Sequence, residues 1–188
     1  MQAAAVELYL ERGPSGVTAA EIAERAGVTE RTFFRHFSDK AEAFFGDEAR
    51  LREHLADLID QVPDGTPALQ TALEAFSRYA EGFSGDADAI RRRAVVIEAN
   101  PELHARELLA GDEWALLISN ALAVRGIHRA EATEVARVAL TIFRVAYEQW
   151  IGHDDDGDPL EAHLHAIADR IATQFALSSN TAGTKPAR

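Results

Sequence analysis

Hydrophobic residues recur every three or four positions along almost the whole chain, which is the spacing of one face of an α-helix. Strict alternation of apolar and polar residues, which would indicate half-buried strands, is almost absent. Glycines, prolines and capping residues interrupt the pattern at short intervals. The pattern therefore predicts an all-α protein with about nine helices and no strand.

The first three predicted helices are short and closely connected. Thr18, followed by Glu21, has the spacing of a capping box and opens a second helix over residues 19–26. Gly27 stands where a left-handed residue would end that helix, and a third helix is predicted over residues 30–37. These three helices are typical of a small, compact module.

Longer helices follow this module. Thr66 is a predicted N-cap, with Pro67 in the first helical turn. The predicted later helices cover residues 40–59, 68–83, 87–98, 101–123, 130–151 and 159–177. We therefore divide the chain into an N-terminal module (residues 1–45), a larger helical domain (residues 46–178) and a polar, disordered tail (residues 179–188).

The second and third helices, joined by a short turn containing glycine, have the form of a helix-turn-helix. One face is apolar and is predicted to pack inward; its residues are Ile22, Ala23, Ala26, Val28, Phe33 and Phe37. The opposite face of the third helix carries Arg31, Thr32, Arg35 and His36. Such a helix can enter the major groove of DNA because its outward residues are small, polar or basic.

Composition narrows the possible classes. The chain has 188 residues, of which 47% are hydrophobic, and it contains no cysteine. These values exclude wholesale disorder, a disulfide framework and a thiol nucleophile. The N-terminus is predicted to form an amphipathic helix rather than a secretory signal, so we expect a cytoplasmic protein with no membrane partner.

The net charge of −12 argues, taken alone, against nucleic acid as a partner. The first 50 residues carry six Lys and Arg against nine Asp and Glu, so only −3 of this charge lies there. Most of the acidity therefore belongs to the larger domain. DNA binding remains compatible with the charge, but it would depend on a few well-placed contacts.

The stretch from Thr18 to Lys40 (TAAEIAERAGVTERTFFRHFSDK) resembles the DNA-binding signature of TetR-family transcriptional regulators. The preceding helix is also similar to that family's first helix, so the resemblance covers about residues 1–50. It implies a DNA-binding regulator, most often a repressor, that binds a palindromic operator as a homodimer. It also implies release of the operator on binding a small organic effector.

The resemblance implies nine DNA-contacting residues: Thr18, Thr29, Glu30, Arg31, Thr32, Phe34, Arg35, His36 and Lys40. Arg31 and Thr32 would reach base edges, whereas His36, Lys40 and Thr18 would hold phosphates. Phe34 stands where relatives often carry a phosphate-binding tyrosine, and its ring cannot make that bond. The arginines could instead be solvated surface residues, and Thr18 is a helix cap under either interpretation.

The last two long helices have wide apolar stripes. The resemblance to the TetR family implies that these two helices form a four-helix bundle with the same helices of a second copy. The interface would then contain Val138, Ile142, Trp150, Leu164, Ile167, Ile171 and Phe175. The alternative is an ordinary core within one chain, which needs the same apolar spacing.

The resemblance also implies an effector pocket among the aromatic residues of the larger domain. Candidate lining residues are Phe76, Tyr79, Phe83, Trp114, Phe143 and Tyr147. Each of them could equally be a plain core residue.

Two other function classes stay open, a small all-helical enzyme and a protein-binding helical adaptor. No nucleophile elbow, metalloprotease motif or phosphate loop is present, so no catalytic residue, cofactor or metal is predicted. Residues 153–158 lack the full calcium-loop spacing, and His163 and His165 point different ways on a helix. The run Arg91-Arg92-Arg93 is either a solvated face or a contact that couples the module to the larger domain.

Overall fold

The structure of the protein is a computed structural model. The structure describes residues 1–83, 87–152 and 157–181, without the side chains of residue 49 and residues 175–181. Within these residues it contains ten α-helices, one 3₁₀ turn at Pro14–Gly16 and no strand, which confirms the predicted all-α class. The helices are α1 (Gln2–Arg12), α2 (Ala19–Arg25), α3 (Glu30–His36), α4 (Lys40–Phe45), α5 (Glu48–Asp60), α6 (Ala68–Glu81), α7 (Ala87–Glu98), α8 (Pro101–Val124), α9 (Arg129–Gly152) and α10 (Leu160–Thr181).

The predicted single helix over residues 40–59 is in fact two helices, α4 and α5. Gly46 ends α4 with a φ of 81°, a left-handed conformation that glycine adopts without steric cost. Asp47 then caps α5, because its side chain accepts a hydrogen bond from the backbone N–H of Arg50 at 3.0 Å. The break between α4 and α5 separates the N-terminal module from the helices that follow.

Two smaller boundary predictions also differ from the structure. Thr66 does not cap α6; Pro67 takes the N-cap position, and the Thr66 hydroxyl donates to the carbonyl of Pro63 at 2.8 Å. The last helix, α10, continues through Thr181, past the predicted end of the domain at residue 178. The rest of the predicted disordered tail, residues 182–188, lies outside the described residues.

The helices surround two hydrophobic cores. The N-terminal core lies within α1–α4 and includes Phe33 and Phe44, both fully buried. Three residues from outside the module complete it: Val96 and Ile97 of α7 and Leu103 of α8. The module is therefore packed directly on the larger domain, and α1 contacts α7.

The larger core is formed by α5, α6 and α8–α10. Helix α9 lies at its centre and packs on α6, α8 and α10. Its inward side is lined with alanines, which let neighbouring helices approach closely; they are Ala132, Ala136, Ala139 and Ala146. No helix among the described residues is long and apolar enough to cross a membrane.

Candidate DNA-reading surface and effector site

The turn between α2 and α3 is fixed by local hydrogen bonds. Gly27, with a φ of 70°, donates its N–H to the carbonyl of Glu24, and Val28 donates to the carbonyl of Ala23. These two bonds are those of a Schellman motif, which ends α2 in a defined direction. Thr29 then caps α3 by accepting a hydrogen bond from the N–H of Thr32 at 3.1 Å. The chain itself therefore sets the angle at which α3 leaves α2.

Helix α3 is held by its inward aromatic residues. Phe33 is fully buried, and Phe37 is half-buried with its ring centroid 5.6 Å from that of Phe33. Phe34 packs edge-on against Phe33 at 5.3 Å, yet 53% of its surface is exposed. Since Phe33 anchors the helix, the opposite side of α3 faces solvent in a fixed orientation.

That solvent-facing side carries the predicted DNA-contacting residues of α3. Thr29, Glu30, Arg31, Arg35 and His36 are exposed. A nitrogen of the Arg35 guanidinium lies 3.3 Å from Nε2 of His36. Among the described residues, Arg31 forms no ion pair within 4.0 Å. Its guanidinium is therefore accessible to a base or a phosphate.

Thr32, half-buried, lies beside the exposed group. Its hydroxyl is 3.0 Å from that of Thr29. The two hydroxyls therefore stand together at the start of α3, next to Arg31.

Thr18 and Lys40 are placed differently from the other predicted DNA-contacting residues, because both are engaged within the protein. The capping box is present: the backbone N–H and hydroxyl of Thr18 both donate to the Glu21 carboxylate at 2.8 Å. Lys40 Nζ donates to the carbonyls of Pro14 at 2.6 Å and Val17 at 2.9 Å. Lys40 thus ties the loop before α2 to α4, and one of its three N–H donors remains for another acceptor.

Glu21 sits at the amino end of α2, where a phosphate would also bind. A hydrogen bond from Arg12 is the main reason that the pKa of this carboxyl falls to about 2, and the hydrogen bonds from Thr18 add to the effect. Glu21 is therefore ionised near neutral pH. A phosphate approaching this helix end would meet its negative charge.

The six predicted effector-binding aromatic residues come together in one cluster between α6, α8 and α9. The ring-centroid distances are 4.5 Å for Phe76–Phe143, 5.1 Å for Tyr79–Phe83, 5.4 Å for Tyr79–Trp114, 6.4 Å for Phe83–Tyr147 and 6.5 Å for Phe143–Tyr147. Phe76 is fully buried and therefore belongs to the core. Tyr79, at 8% exposed, also belongs to the core, and the other four rings are half-buried beside it.

The two tyrosines of this cluster supply its polar groups. Burial is the main cause that raises the pKa of Tyr79, to about 12, and it also raises the pKa of Tyr147. The positive charge of Arg93 opposes this effect at both residues. Both hydroxyls therefore remain protonated at neutral pH and can donate a hydrogen bond to a polar group of a ligand.

The run Arg91-Arg92-Arg93 on α7 lies between the aromatic cluster and the N-terminal module. Arg93 is close to the aromatic rings of α4, which supports the coupling alternative for this residue. Arg91 instead lies over the ring of Trp150 at 5.4 Å, and Arg92 is exposed. The sequence pattern indicated this run but gave no sign of Arg106 on α8, which also lies over an aromatic ring of α4.

The predicted dimer-interface residues fall into two groups. Four of them fill the protomer's own core and are at most 5% exposed: Ile142, Trp150, Leu164 and Ile167. Their side chains are therefore buried within the protomer. Val138 is 44% exposed and Ile171 is half-buried, so these two remain accessible. The side chain of Phe175 is outside the described part of the chain.

No group of three or more His, Cys, Asp or Glu side chains that could hold a metal ion occurs among the described residues. Nε2 of His165 lies 3.2 Å from the hydroxyl oxygen of Ser77. Residues 153–156, in the segment that was considered for calcium, are not among the described residues.

Comparison with known proteins agrees with this architecture. Residues 3–45 match the family model described as bacterial regulatory proteins of the tetR family, and residues 66–176 match the MftR C-terminal domain. The chain is 30% identical over 173 residues to MftR of Mycobacterium tuberculosis, described as a mycofactocin biosynthesis transcriptional regulator, covering 89% of this chain and 85% of that protein. It is also 30% identical over 162 residues to the transcriptional activator FasR of Mycolicibacterium smegmatis, covering 80% and 70%.

Among solved structures, the fold is similar to that of the regulator FadR from Bacillus subtilis in complex with stearoyl-CoA. The TM-score is 0.58 at 18% identity, with 88% of this chain and 92% of that chain covered. The matches extend over both the helix-turn-helix module and the larger domain. The chain therefore belongs to the TetR family: it is a DNA-binding transcriptional regulator rather than an enzyme.

Proposed function

We propose that the protein is a repressor that binds a palindromic operator as a homodimer and leaves it when a small organic effector binds. The observation that carries the proposal is the solvent-facing side of α3, where Arg31 is exposed and the buried Phe33 fixes the helix orientation. Two such helices related by a twofold axis would read two half-sites of one operator.

Arg31 is the residue that we propose for base recognition. The exposed guanidinium of Arg31 at the start of α3 can donate two parallel hydrogen bonds to O6 and N7 of guanine, a contact worth about 1–3 kcal/mol in discrimination. Thr32 and Glu30 would contact neighbouring base edges. Thr29, Arg35 and His36 would hold phosphates along the same face, and Phe34 would give an apolar contact.

The phosphate contacts that we propose for Thr18 and Lys40 are secondary. Lys40 would use its one remaining N–H, since its other two already hold the loop. Thr18 would need its hydroxyl to turn away from Glu21.

The homodimer would use the exposed faces of α9 and α10 rather than the buried residues between them. On α9 this face includes Val138 and Val145, which are 44% and 36% exposed. On α10 it includes the exposed Ala162 and Ala166, whose small side chains allow close helix packing. The half-buried Ile171 lies further along the same helix. We propose that these faces of two copies form a four-helix bundle.

The effector would bind at the aromatic cluster. Its five partly accessible or nearly buried rings suit an apolar or aromatic body, and the neutral hydroxyls of Tyr79 and Tyr147 suit a polar group. The structurally similar FadR was solved with stearoyl-CoA, so long apolar acyl compounds are among the first to test. We further infer that residues 1–45 bind DNA, that residues 46–178 bind the effector and the second copy, and that the protein acts in the cytoplasm.

Fluorescence anisotropy with a duplex from the promoter beside the protein's own gene tests this proposal. We expect salt-sensitive binding to the promoter and weaker binding to a random duplex of equal length. Arg31→Ala should weaken promoter binding and relax the preference at one position in each half-site. Arg129→Ala, at an exposed arginine of α9, serves as the matched control and should leave binding unchanged. Equal affinity for promoter and random duplex would refute sequence-specific binding.

The direction of regulation needs its own measurement, because the similar FasR is an activator. In vitro transcription from the same promoter should fall when the protein is added. A rise in transcript would show activation and refute the repressor assignment.

A further inference from the structure

Phe34 is an exposed apolar side chain on a helix whose solvent-facing side is otherwise polar. Its side chain is 53% exposed, and the neighbouring residues on that side are polar, such as Glu30, Arg31 and Arg35. A single exposed apolar residue is common on protein surfaces and by itself marks no site. The orientation of Phe34 and its place on the DNA-reading helix therefore decide what the ring can do.

The orientation of the Phe34 ring is set by Phe33. The two ring centroids are 5.3 Å apart at an interplanar angle of 82°, which is the edge-to-face arrangement that aromatic pairs prefer. Phe33 is itself fully buried. The Phe34 ring therefore has a defined position on the surface before DNA binds, and a contact with DNA costs less side-chain freedom than it would for a freely rotating ring.

The ring of Phe34 covers the first turn of α3. Side chains of an α-helix lean towards its amino end, so residue 34 covers the surface beside residues 30 and 31, which stand four and three positions earlier. The first residues of a recognition helix are those that approach the base edges of DNA. Phe34 is therefore placed next to Arg31, the residue that we propose for base recognition.

The chemistry of the ring restricts what it can contact in the major groove. A phenyl ring has no hydroxyl, so it cannot hold a phosphate as a tyrosine would. The base edges in this groove present hydrogen-bonding groups and, at thymine alone, an apolar C5 methyl group. Packing this methyl group against the ring removes apolar surface of both partners from water, which is favourable.

We propose that Phe34 is a specificity-determining residue that recognises thymine through its C5 methyl group, near the base that Arg31 reads. The inference rests on the proposed function for its symmetry, because a homodimer would make the contact once in each half-site. Thr32 is the competing source of an apolar contact, since its side chain also carries a methyl group. However, Thr32 is half-buried, and its hydroxyl lies 3.0 Å from that of Thr29.

Duplexes that contain deoxyuridine test the contact, because uracil keeps the hydrogen-bonding edge of thymine and lacks only the methyl group. Each thymine of the bound promoter segment is replaced in turn, and the affinity is measured by fluorescence anisotropy. We expect one position in each half-site at which the replacement weakens binding of the parent protein about threefold to fivefold. This factor corresponds to the loss of one buried methyl-sized group.

Three variants assign the effect to its side chain. Phe34→Ala should bind the thymine duplex more weakly and should lose the difference between the thymine and deoxyuridine duplexes at that position. Phe34→Tyr keeps the ring and should keep the difference, because any phosphate contact of the added hydroxyl strengthens binding to both duplexes equally. Thr32→Ser removes the competing methyl group, keeps the hydroxyl, and should also keep the difference.

The ratio of the two affinities is insensitive to folding, because a partly unfolded variant binds both duplexes less by the same factor. Leu109→Ala, at a 69% exposed apolar residue of α8, is the matched control and should keep the parent ratio. An unchanged ratio in Phe34→Ala overturns the proposal, and so does loss of the difference in Thr32→Ser.

The parent protein alone separates this proposal from the proposed function. Specific binding to the promoter with no weakening by deoxyuridine at any position overturns the thymine contact and leaves the proposed function standing. Equal binding of the promoter and a random duplex would instead refute the sequence-specific binding on which both depend.

Discussion

Lys40 gives the sharpest test of the site, because its contacts within the protein and its proposed phosphate contact predict different measurements. Replacing Lys40 with Met keeps most of the side-chain length and removes the ammonium group. The carbonyls of Pro14 and Val17 then lose their donor, and Val17 is only 2% exposed, so water reaches that site poorly. The consequence should be a loosened connection between α4 and the loop before α2.

The expected loss follows from the two hydrogen bonds. A hydrogen bond to a charged group contributes about 1.5–3 kcal/mol when it is well shielded. Lys40 is half-buried and the carbonyl of Pro14 can be hydrated once it is released, so we expect a total loss of about 2 kcal/mol in the free energy of unfolding. Urea denaturation followed by circular dichroism measures this value.

Arg50→Met is the matched control, since it removes one positive charge from an exposed residue near the module. It should cost less than about 0.5 kcal/mol. If Lys40 also holds a phosphate, Lys40→Met but not Arg50→Met should lower the slope of log affinity against log salt by about one. Equal stability of the two variants would refute the structural role of Lys40, and equal slopes would refute its phosphate contact.

Three more predictions concern acid, base and assembly. The pKa of Glu21 is about 2 in the folded protein and near 4.5 in the unfolded chain, so the stability that Glu21 contributes is present above pH 4.5 and is lost as the pH falls towards 2. The melting temperature of Glu21→Gln should therefore depend less on pH between 4.5 and 2 than that of the parent protein. The three tyrosines, Tyr9, Tyr79 and Tyr147, all have a raised pKa, so the absorbance of the native protein at 295 nm should change little through pH 10, whereas the protein in urea should show ordinary tyrosine titration. The stability that these protonated tyrosines contribute should be lost as the pH rises above 10. Val145→Arg should shift the protein towards a monomer in light scattering, whereas Val124→Arg, at an 85% exposed residue of α8, should not; a dimer that survives Val145→Arg would exclude that face of α9.

The sequence predicted those features that local interactions determine. The capping box at Thr18 and the left-handed Gly27 involve residues at most five positions apart, so their spacing is visible in the chain itself. Gly46 carries the same kind of signal, but the strongly helical residues on both sides of it favoured one continuous helix. Local propensity therefore gave the helix-turn-helix correctly and gave one helix too few afterwards.

Contacts between distant segments could not be predicted in the same way. An apolar stripe has the same spacing whether it faces its own core or a second copy, so the spacing could not show that Ile142 and Leu164 are buried within the protomer. The aromatic residues did come together as expected, although their periodicity alone would have fitted a plain core. Arg93 of α7 and Arg106 of α8 both lie over the ring of Phe45, a contact between residues that are far apart in the sequence.

The N-terminal core contains residues from both parts of the chain, because Val96, Ile97 and Leu103 of the larger domain pack with residues of α1–α4. If the first 45 residues were exchanged for those of another regulator, the new module would therefore not pack well against Val96, Ile97 and Leu103. A working chimera should need these three side chains to be exchanged as well.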